Sequence, residues 1–598
     1  MDPAPTQNWS ATMGALRSSL SRTTNPLSST RRRMPALAVF KTSTGSWAMA
    51  CSEKGTDRAA QSATRWNQRF MRRTLSRDPA KRKRPKIGLH LSRAGPAWIV
   101  PAAGRDGVRG TWKSLGWLGC APLLWVLAAE GQAYRTPARA SWTEDPATTA
   151  TIAWDVPEAG RGTVRYGTTP RFSHLEQDGG GTYRHAIVLR GLAPGTRYFY
   201  EAASSAGDVQ TGTFRTAPSP GQPLHFALHG DLQGGLDEAG ARGVAARIAE
   251  EDPAFVVGLG DLADEAYGAA GFATWEPFFR ICSNELARAV FMPALGNHDV
   301  APDVDFAQSL WRSLFPLPES ARIAGHYSFA AGNARFIVLN TEIPAAALTD
   351  WLARELQAAA FDPAAVWTMV VGHRPPVSFG ERGGDASIAT HWAPLLTRYE
   401  ADWMVSGHSH NYQRMAPIRG VRYLVAGGGG AWLYASAAGE ETHAFATTCY
   451  HHVSIHVTND VMQIRGIRSD GLVFDSEIVA NRRRVRVEPA FPLRGEMATI
   501  SYRAAEGPLA GANPVRIHLG QDAFANAFAD EPMTWNAASR RWEYAFTVPV
   551  SATQRVAFAF HDGIGNWHNN FGEDWQALLA PAGRPSSDSS FDVAIESR

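Results

Sequence analysis

At 598 residues the chain is too long for a single hydrophobic core, and about three or four domains are expected. Hydrophobic residues make up 44% and charged residues 19%, which excludes a largely disordered or fibrous chain. The formal net charge of +3 comes from unevenly placed basic residues, so the chain as a whole is not expected to bind nucleic acid or a membrane surface.

Residues 1–107 carry Arg31-Arg32-Arg33, Arg72-Arg73 and Lys81-Arg82-Lys83-Arg84 amid Ser, Thr and Pro, without a helical or strand period. They are either a disordered basic arm or a stretch upstream of the true start. Residues 108–133 have the layout of a secretory signal. A short basic stretch with Arg109 and Lys113 leads into the apolar run Leu115 to Ala129 and then Glu130-Gly131-Gln132-Ala133. Cleavage after Ala133 is expected, with Val108 as the start, which predicts a secreted or periplasmic protein without a membrane span in its mature form. A buried apolar helix is the alternative. The four cysteines, Cys51, Cys120, Cys282 and Cys449, form no CxxC pair, which excludes a zinc ribbon. Cys282 and Cys449 remain after cleavage, either as a disulfide or as two free thiols.

Residues 135–218 alternate apolar and polar positions between turns, with strands predicted at 151–154, 163–167, 186–189 and 197–201, and this spacing predicts a β-sandwich. Pro218-Ser219-Pro220-Gly221 is a linker. Residues 222–480 alternate buried strands, such as Phe226–Gly230 and Phe255–Leu259, with helical stretches such as Glu238–Glu251, which predicts an α/β domain. Residues 483–598 return to short β runs rich in Trp, Asn and Gly.

Five segments of the α/β region carry chemistry: Gly230-Asp231-Leu232-Gln233, Gly260-Asp261-Leu262-Ala263-Asp264, Gly296-Asn297-His298-Asp299, Gly372-His373-Arg374-Pro375 and Gly407-His408-Ser409-His410. A strand ending in Gly-Asp presents a carboxylate at the carboxyl edge of a sheet, where α/β folds bind ligands. Two such aspartates, an asparagine oxygen and three imidazoles make a mixed oxygen and nitrogen donor set. It suits two ions of the Fe, Zn or Mn class and suits neither a thiolate site nor a calcium cage. Each segment alone is weak evidence, whereas all five in this order are specific.

With Val405 to Arg414 and Tyr423 to Gly430, these segments resemble the motifs of the calcineurin-like metallophosphoesterases, and within them the purple acid phosphatases. The resemblance covers about residues 135–480. It implies that Asp231 and His410 hold one metal, that Asp261 bridges, and that Asn297, His373 and His408 hold the second. It implies hydrolysis of a phosphate monoester by a metal-held hydroxide, with His298 beside the substrate and Asp299 orienting His298. A phosphodiester is the alternative substrate. Arg414 is expected in a structural ion pair rather than facing phosphate. Two positions depart from the family. Asp264 stands where a purple acid phosphatase has its metal-binding tyrosine, with Tyr267 out of register, and Gln233 stands where other members have histidine. Asp264 and Gln233 are therefore candidate extra ligands, and no tyrosinate colour is expected.

Residues 191–200 resemble a fibronectin type III-like domain. The run Phe558 to Gly572 resembles starch-binding carbohydrate-binding modules, which makes 483–580 a candidate module with Trp535, Trp567, Asn569 and Asn570 as sugar contacts and a starch-like polysaccharide as partner. Trp542 and Trp575 are further stacking faces. A carbohydrate-binding surface protein with a degenerate phosphoesterase domain is the competing functional class.

Overall fold

The computed structural model describes residues 38–41, 47–50 and 134–581, apart from 266–270, 301–309, 437–442, 482 and 506. The rest of the basic segment, the stretch 108–133 expected to be a secretory signal, Cys51, Cys120 and Tyr267 lie outside the described residues. Ala38–Lys41 and Trp47–Ala50 form an antiparallel hairpin in a first unit, and everything from Leu115 onward belongs to a second.

In the second unit, seven strands come first: β1 (Arg139–Ser141), β2 (Ala150–Gly160), β3 (Gly162–Gly167), β4 (His174–Gln177), β5 (Thr182–Leu189), β6 (Arg197–Ser204) and β7 (Val209–Arg215). Alternation of buried and half-buried residues, as in β6, gives such a strand one face for the core. Strands β4-β3-β6-β7 make one sheet, and β1-β2-β5 line up as the end of another. That second set does not stop at the domain. Ala140 of β1 pairs in parallel with Val290, so the strands continue into the sheet of the α/β region. The linker at 218–221 thus separates two stretches of chain but not two hydrophobic cores. Arg139 is buried at this junction, its Nε donating to the Leu314 carbonyl at 2.8 Å and its guanidinium lying against Phe279 and Phe315.

The α/β region contributes β8 (Leu224–His229), α1 (Glu238–Glu251), β9 (Phe255–Gly258), α2 (Gly271–Leu286), β10 (Val290–Pro293), α3 (Glu319–Ala324), β11 (Tyr327–Ala331), β12 (Ala334–Leu339) and α4 (Ala345–Phe361). It continues with β13 (Trp367–Gly372), α5 (Ala386–Arg398), β14 (Trp403–Ser406), β15 (Tyr412–Met415), β16 (Arg422–Ala426), β17 (His443–Thr447), β18 (His451–Val457), β19 (Val461–Arg468) and β20 (Val473–Ala480). Two sheets result, in the orders β20-β19-β18-β8-β9-β10-β1-β2-β5 and β11-β12-β13-β14-β16-β15-β17. Each has a parallel centre, β8-β9-β10-β1 in one and β12-β13-β14-β16 in the other. Continuous apolar runs such as Phe-Val-Val-Gly of β9 are what a strand covered on both faces requires. Phe226, Phe255, Phe329 and Phe336 interlock from the two sheets, with ring centroids 4.8–5.7 Å apart. Helix α1 is capped by Asp237, which accepts from the Gly240 N–H at 2.9 Å, and buries Ala241, Val244, Ala245 and Ile248 at helical spacing.

The last region holds β21 (Val485–Glu488), β22 (Met497–Tyr502), β23 (Arg516–Gln521), β24 (Asn526–Pro532), β25 (Thr534–Asn536), β26 (Arg541–Thr547), β27 (Arg555–His561), β28 (Trp567–His568) and β29 (Trp575–Leu578). They form the sheets β21-β22-β26-β25 and β24-β23-β27-β28, with β29 also on β27. Their shared core, including Ile500, Tyr502, Ile517 and Phe560, merges with that of α4 and α5. Gln357 of α4 ties the regions, donating to the carbonyls of Ala490 and Leu578, each at 2.8 Å. Cys282 and Cys449 are both free. Among the described residues no helix is long and apolar enough to cross a membrane.

Candidate metal centre

All six expected ligands stand just beyond the carboxyl ends of parallel strands, three from each sheet. Asp231, Asp261 and Asn297 follow β8, β9 and β10, while His373, His408 and His410 follow β13 and β14. The loops are zipped together by backbone bonds: the Asp231 N–H donates to Gly260 at 3.0 Å, Gln233 to Asp261 at 2.9 Å and Gly407 to His373 at 3.0 Å. Asp231, Asp261 and His408 take left-handed backbone conformations, with φ of 57°, 52° and 66°. Such strain in non-glycine residues survives only where the surroundings over-determine it, and it gathers at functional sites. At Gly296 and Gly407 the approach is so close that a Cβ would collide with the Asp261 backbone or the Asp231 carboxylate.

The donor atoms converge. His373 Nδ1 faces the Leu259 carbonyl at 2.9 Å, and a carbonyl only accepts, so this nitrogen carries the hydrogen and Nε2 is left for a ligand. Around Nε2 lie Asp261 Oδ2 at 3.1 Å, Asn297 Oδ1 at 3.2 Å and His408 Nδ1 at 3.2 Å. Four acceptors facing one another require a cation between them. Without a metal the cation is a proton: burial disfavours the imidazolium of His373, but Asp261 overrides this and pushes it up to about 10. Burial, helped by the charges of His373 and Arg374, holds His408 down to about 3, so it stays a neutral ligand. Asp261, Asn297, His373 and His408 thus fit one metal ion, and among the described residues Asp261, His373 and His408 are the group of ionisable ligands that could hold one.

The other half is thinner. His410 donates through Nδ1 to the Trp432 carbonyl at 2.7 Å and turns Nε2 toward Asp231 Oδ1, 3.5 Å away. Burial keeps His410 neutral, down to about 4, and pushes Asp231 well above the usual carboxylate range, with Asp261 adding to it. Asp231 also accepts the His408 N–H at 2.9 Å. Gln233 is buried, with its backbone N–H on the Asp261 carbonyl.

One expectation about these loops is corrected. Asp299 does not orient His298. Its buried carboxylate accepts the backbone N–H groups of Asp261, Leu262, Ala263 and Gly296 at 2.9–3.1 Å, clamping the second aspartate loop to the asparagine loop. Burial, with Asp261 nearby, pushes its pKa to about 7. The group that holds His298 is Asp264, whose Oδ1 lies 3.1 Å from His298 Nδ1. Asp264 is thus placed to position His298, with one of its carboxylate oxygens against that imidazole. Arg414 pairs with Asp475 at 2.6 Å and Glu477 at 2.9 Å, a structural ion pair as expected.

The rim holds residues that sequence reasoning missed. Arg374 forks onto Glu342 at 2.9 Å and reaches His408 Nε2 at 3.3 Å. Tyr434 stacks on His410 with centroids 4.2 Å apart, and the Arg382 guanidinium lies over the Tyr434 ring, 5.2 Å from its centroid, donating to the Tyr434 hydroxyl at 2.9 Å. Trp432 is 67% exposed. The aromatic pair directly after the Gly427–Gly430 run was the available sequence signal.

In the last region, Trp535 and Trp567 are 48% and 47% exposed and Asn569 is exposed. Trp567 stacks on His561 with centroids 4.3 Å apart. Asn570 is corrected: it is buried, and its amide donates to the Thr397 and Arg398 carbonyls at 2.9 and 3.1 Å, capping the end of α5. Trp542 and Trp575 are buried as well, Trp575 against Phe558 and Phe560.

Fold and site together define a calcineurin-like phosphoesterase domain: residues 224–412 match that family, and residues 136–216 match the purple acid phosphatase N-terminal domain. Among relatives, an uncharacterised Mycobacterium tuberculosis protein is 26% identical over 52% of this chain and 65% of its own length. Purple acid phosphatase 21 of Arabidopsis thaliana is 26% identical over 41% of this chain and 58% of its own. The matches thus span less than two thirds of either relative. An α-amylase of Clostridium acetobutylicum is 34% identical over 97 residues, 16% of this chain and 12% of the amylase. The solved purple acid phosphatase from yellow lupin (Lupinus luteus) seeds shares the fold, with a TM-score of 0.50 at 19% identity over 58% of this chain and 74% of that one.

Proposed function

We propose that this chain is a secreted phosphoester hydrolase that acts on phosphate monoesters at a dimetal centre held by Asp231, Asp261, Asn297, His373, His408 and His410. The observation that carries the reading is the convergence of Asp261, Asn297 and His408 acceptor atoms on His373 Nε2. The donor set suits Fe, Zn or Mn, and two such ions supply Lewis-acid charge for the phosphoryl oxygens and an attacking water of lowered pKa. The remaining work falls to side chains. His298, with Nδ1 on Asp264, presents Nε2 to hydrogen-bond a phosphoryl oxygen or hand a proton to the leaving oxygen. Arg374, beside His408 and fixed by Glu342, adds positive charge where the phosphate is drawn in.

The exposed faces of Trp535 and Trp567 support a role for the last region in binding a starch-like polysaccharide. The strands of residues 135–218 support a fibronectin type III-like reading, and the sequence pattern at 108–133 supports secretion.

The test is hydrolysis of p-nitrophenyl phosphate and bis-p-nitrophenyl phosphate by metal-stripped protein re-supplied with Fe, Zn, Mn or Mg. Metal-dependent turnover that prefers the monoester and disappears in His408→Ala is the expected result. Preference for the diester would reassign the substrate, and no turnover with any metal would refute the enzymatic reading.

A further inference from the structure

The first sheet of the last region gathers guanidinium groups that the metal centre does not use. Val485 and Arg486 of β21 pair with Tyr502 and Ser501 of β22, and Tyr502 pairs in turn with Trp542 of β26. One residue further along this register, Arg484, Arg503 and Arg541 stand opposite one another on three neighbouring chains, with the Arg503 N–H donating to the Arg484 carbonyl at 2.8 Å. Arg486 lies two residues from Arg484 and so shares its face. The other face is core, where Val485, Ile500 and Tyr502 are buried.

Like charges directly opposite one another in a sheet repel. Arg422 has Glu477 at 3.3 Å, whereas none of these four guanidinium groups has a carboxylate within ion-pair distance among the described residues. Arg541 is buried and spends its N–H groups on the backbone carbonyls of Arg484 at 2.9 Å and Arg483 at 3.4 Å. Burial, with the charges of Arg486 and Arg503 adding to it, pushes Arg541 down to about 10. The Nε–H groups of Arg484 and Arg486 are buried without any hydrogen-bond partner. Unpaired buried donors are rare because each forfeits its hydration. Beside Arg484 opens a cavity of about 90 Å³, also lined by Glu400 and Asp402. That volume is roughly the share of three liquid waters and holds one tetrahedral oxyanion. Glu400 accepts the backbone N–H of Arg484 at 3.0 Å, and Asp402 accepts that of Thr368 at 2.8 Å, so both are engaged by main chain. Burial raises the pKa of both carboxyls, Asp402 to about 6, and in mildly acidic solution they answer the guanidinium charge only in part.

We propose that Arg484, Arg486 and Arg503 form a second oxyanion site, sharing no residue with the metal centre, that takes inorganic phosphate. A doubly charged tetrahedral anion accepts from the two orphaned Nε–H groups and meets the fork of Arg503. Occupancy neutralises the row and thereby stabilises the sheet.

The test counts labelled inorganic phosphate bound at equilibrium dialysis, in a constant chloride background. It compares metal-loaded wild type, Arg503→Gln, and the double variant Arg486→Gln with Arg503→Gln. The double variant is expected to bind one equivalent fewer than wild type, and Arg503→Gln to weaken that equivalent by about tenfold. Phosphate should also raise the urea midpoint of wild type more than that of the double variant. The metal centre is distinguished by the count. If it holds phosphate, wild type binds two equivalents and the double variant one; if the dimetal reading fails, the numbers are one and none, and the proposal stands. Equal counts and equal affinities in wild type and both variants would overturn it in either case. Should the double variant fail to fold, the affinity of Arg503→Gln decides: weakened binding supports the site and unaltered binding refutes it.

Discussion

Asp299→Ala tests the architecture of the site. The carboxylate is buried and accepts four backbone N–H groups, from Asp261 at 3.0 Å, Leu262 at 3.0 Å, Ala263 at 3.1 Å and Gly296 at 2.9 Å. Each buried donor left without an acceptor costs about 1–3 kcal/mol. Four together would rival the roughly 5–15 kcal/mol that holds a typical domain folded. The loops will therefore shift and admit water before that full cost is reached, leaving a loss of about 3–5 kcal/mol. Urea unfolding of the metal-free protein should show this loss, and zinc titration should show at least about tenfold weaker binding, because Asp261 and Asn297 are the residues the clamp places. Asp299→Asn, which keeps one accepting oxygen, should lose less. If Asp299→Ala unfolds within about 1 kcal/mol of wild type, binds zinc normally and merely slows turnover as His298→Ala does, then Asp299 acts on His298 and the reasoning is wrong.

The other expectations are separable from this one. Asp264→Asn should lower kcat/KM by about 10- to 100-fold through a loosened His298, while a urea midpoint close to wild type is expected because this half-exposed pair contributes little to stability. Metal titration of stripped protein should show two unequal steps, because Asp261, Asn297, His373 and His408 offer a fuller donor set than Asp231, Asp261 and His410; two equal affinities would contradict it. Asn570→Ala should destabilise the protein by about 1–3 kcal/mol through two lost hydrogen bonds, without changing retention on insoluble starch, whereas Trp567→Ala should weaken starch retention and leave unfolding unchanged. Burial holds His568 down to about 4 from 6.5, so below pH 6.5 the unfolded chain takes up a proton that the folded one refuses. Its stabilisation is full above pH 6.5 and is lost as pH falls toward 4, by about 2–3 kcal/mol at pH 4.5. Urea unfolding at pH 7 and 4.5 should show a smaller difference in His568→Gln, and an equal difference would refute the assignment.

The placement of the candidate ligands was legible because its determinants are local. An apolar run that ends in Gly-Asp is a buried parallel strand followed by a tight turn, and the carboxylate then stands at the sheet's carboxyl edge whatever the rest of the chain does. The same holds for the Gly-Asn-His and Gly-His-Ser-His turns. The capped helix at Glu238–Glu251 and the short strands at either end of the second unit were likewise readable from period and turn chemistry. Which neighbour each side chain finds was a different matter. Asp299 adjoins His298 in sequence, but a tight turn sends adjacent side chains apart, so Asp299 went into the loops and Asp264, far away along the chain, took the imidazole. Continuation of the first domain's strands through Ala140 and Val290 depends on pairing two strands distant in sequence, for which no local pattern exists. The fates of Asn570 and Trp575 turn on whether α5 and the last sheets pack over them, and the bracing of Arg382 depends on a loop that only the folded sheet brings to Tyr434. Sequence by itself determined the donor chemistry and the strands that carry it, because these follow from local backbone preference and hydrophobic period. Tertiary structure alone decided the partners of that chemistry, because a side chain's hydrogen bonds and burial are set by whatever distant segment folds against it.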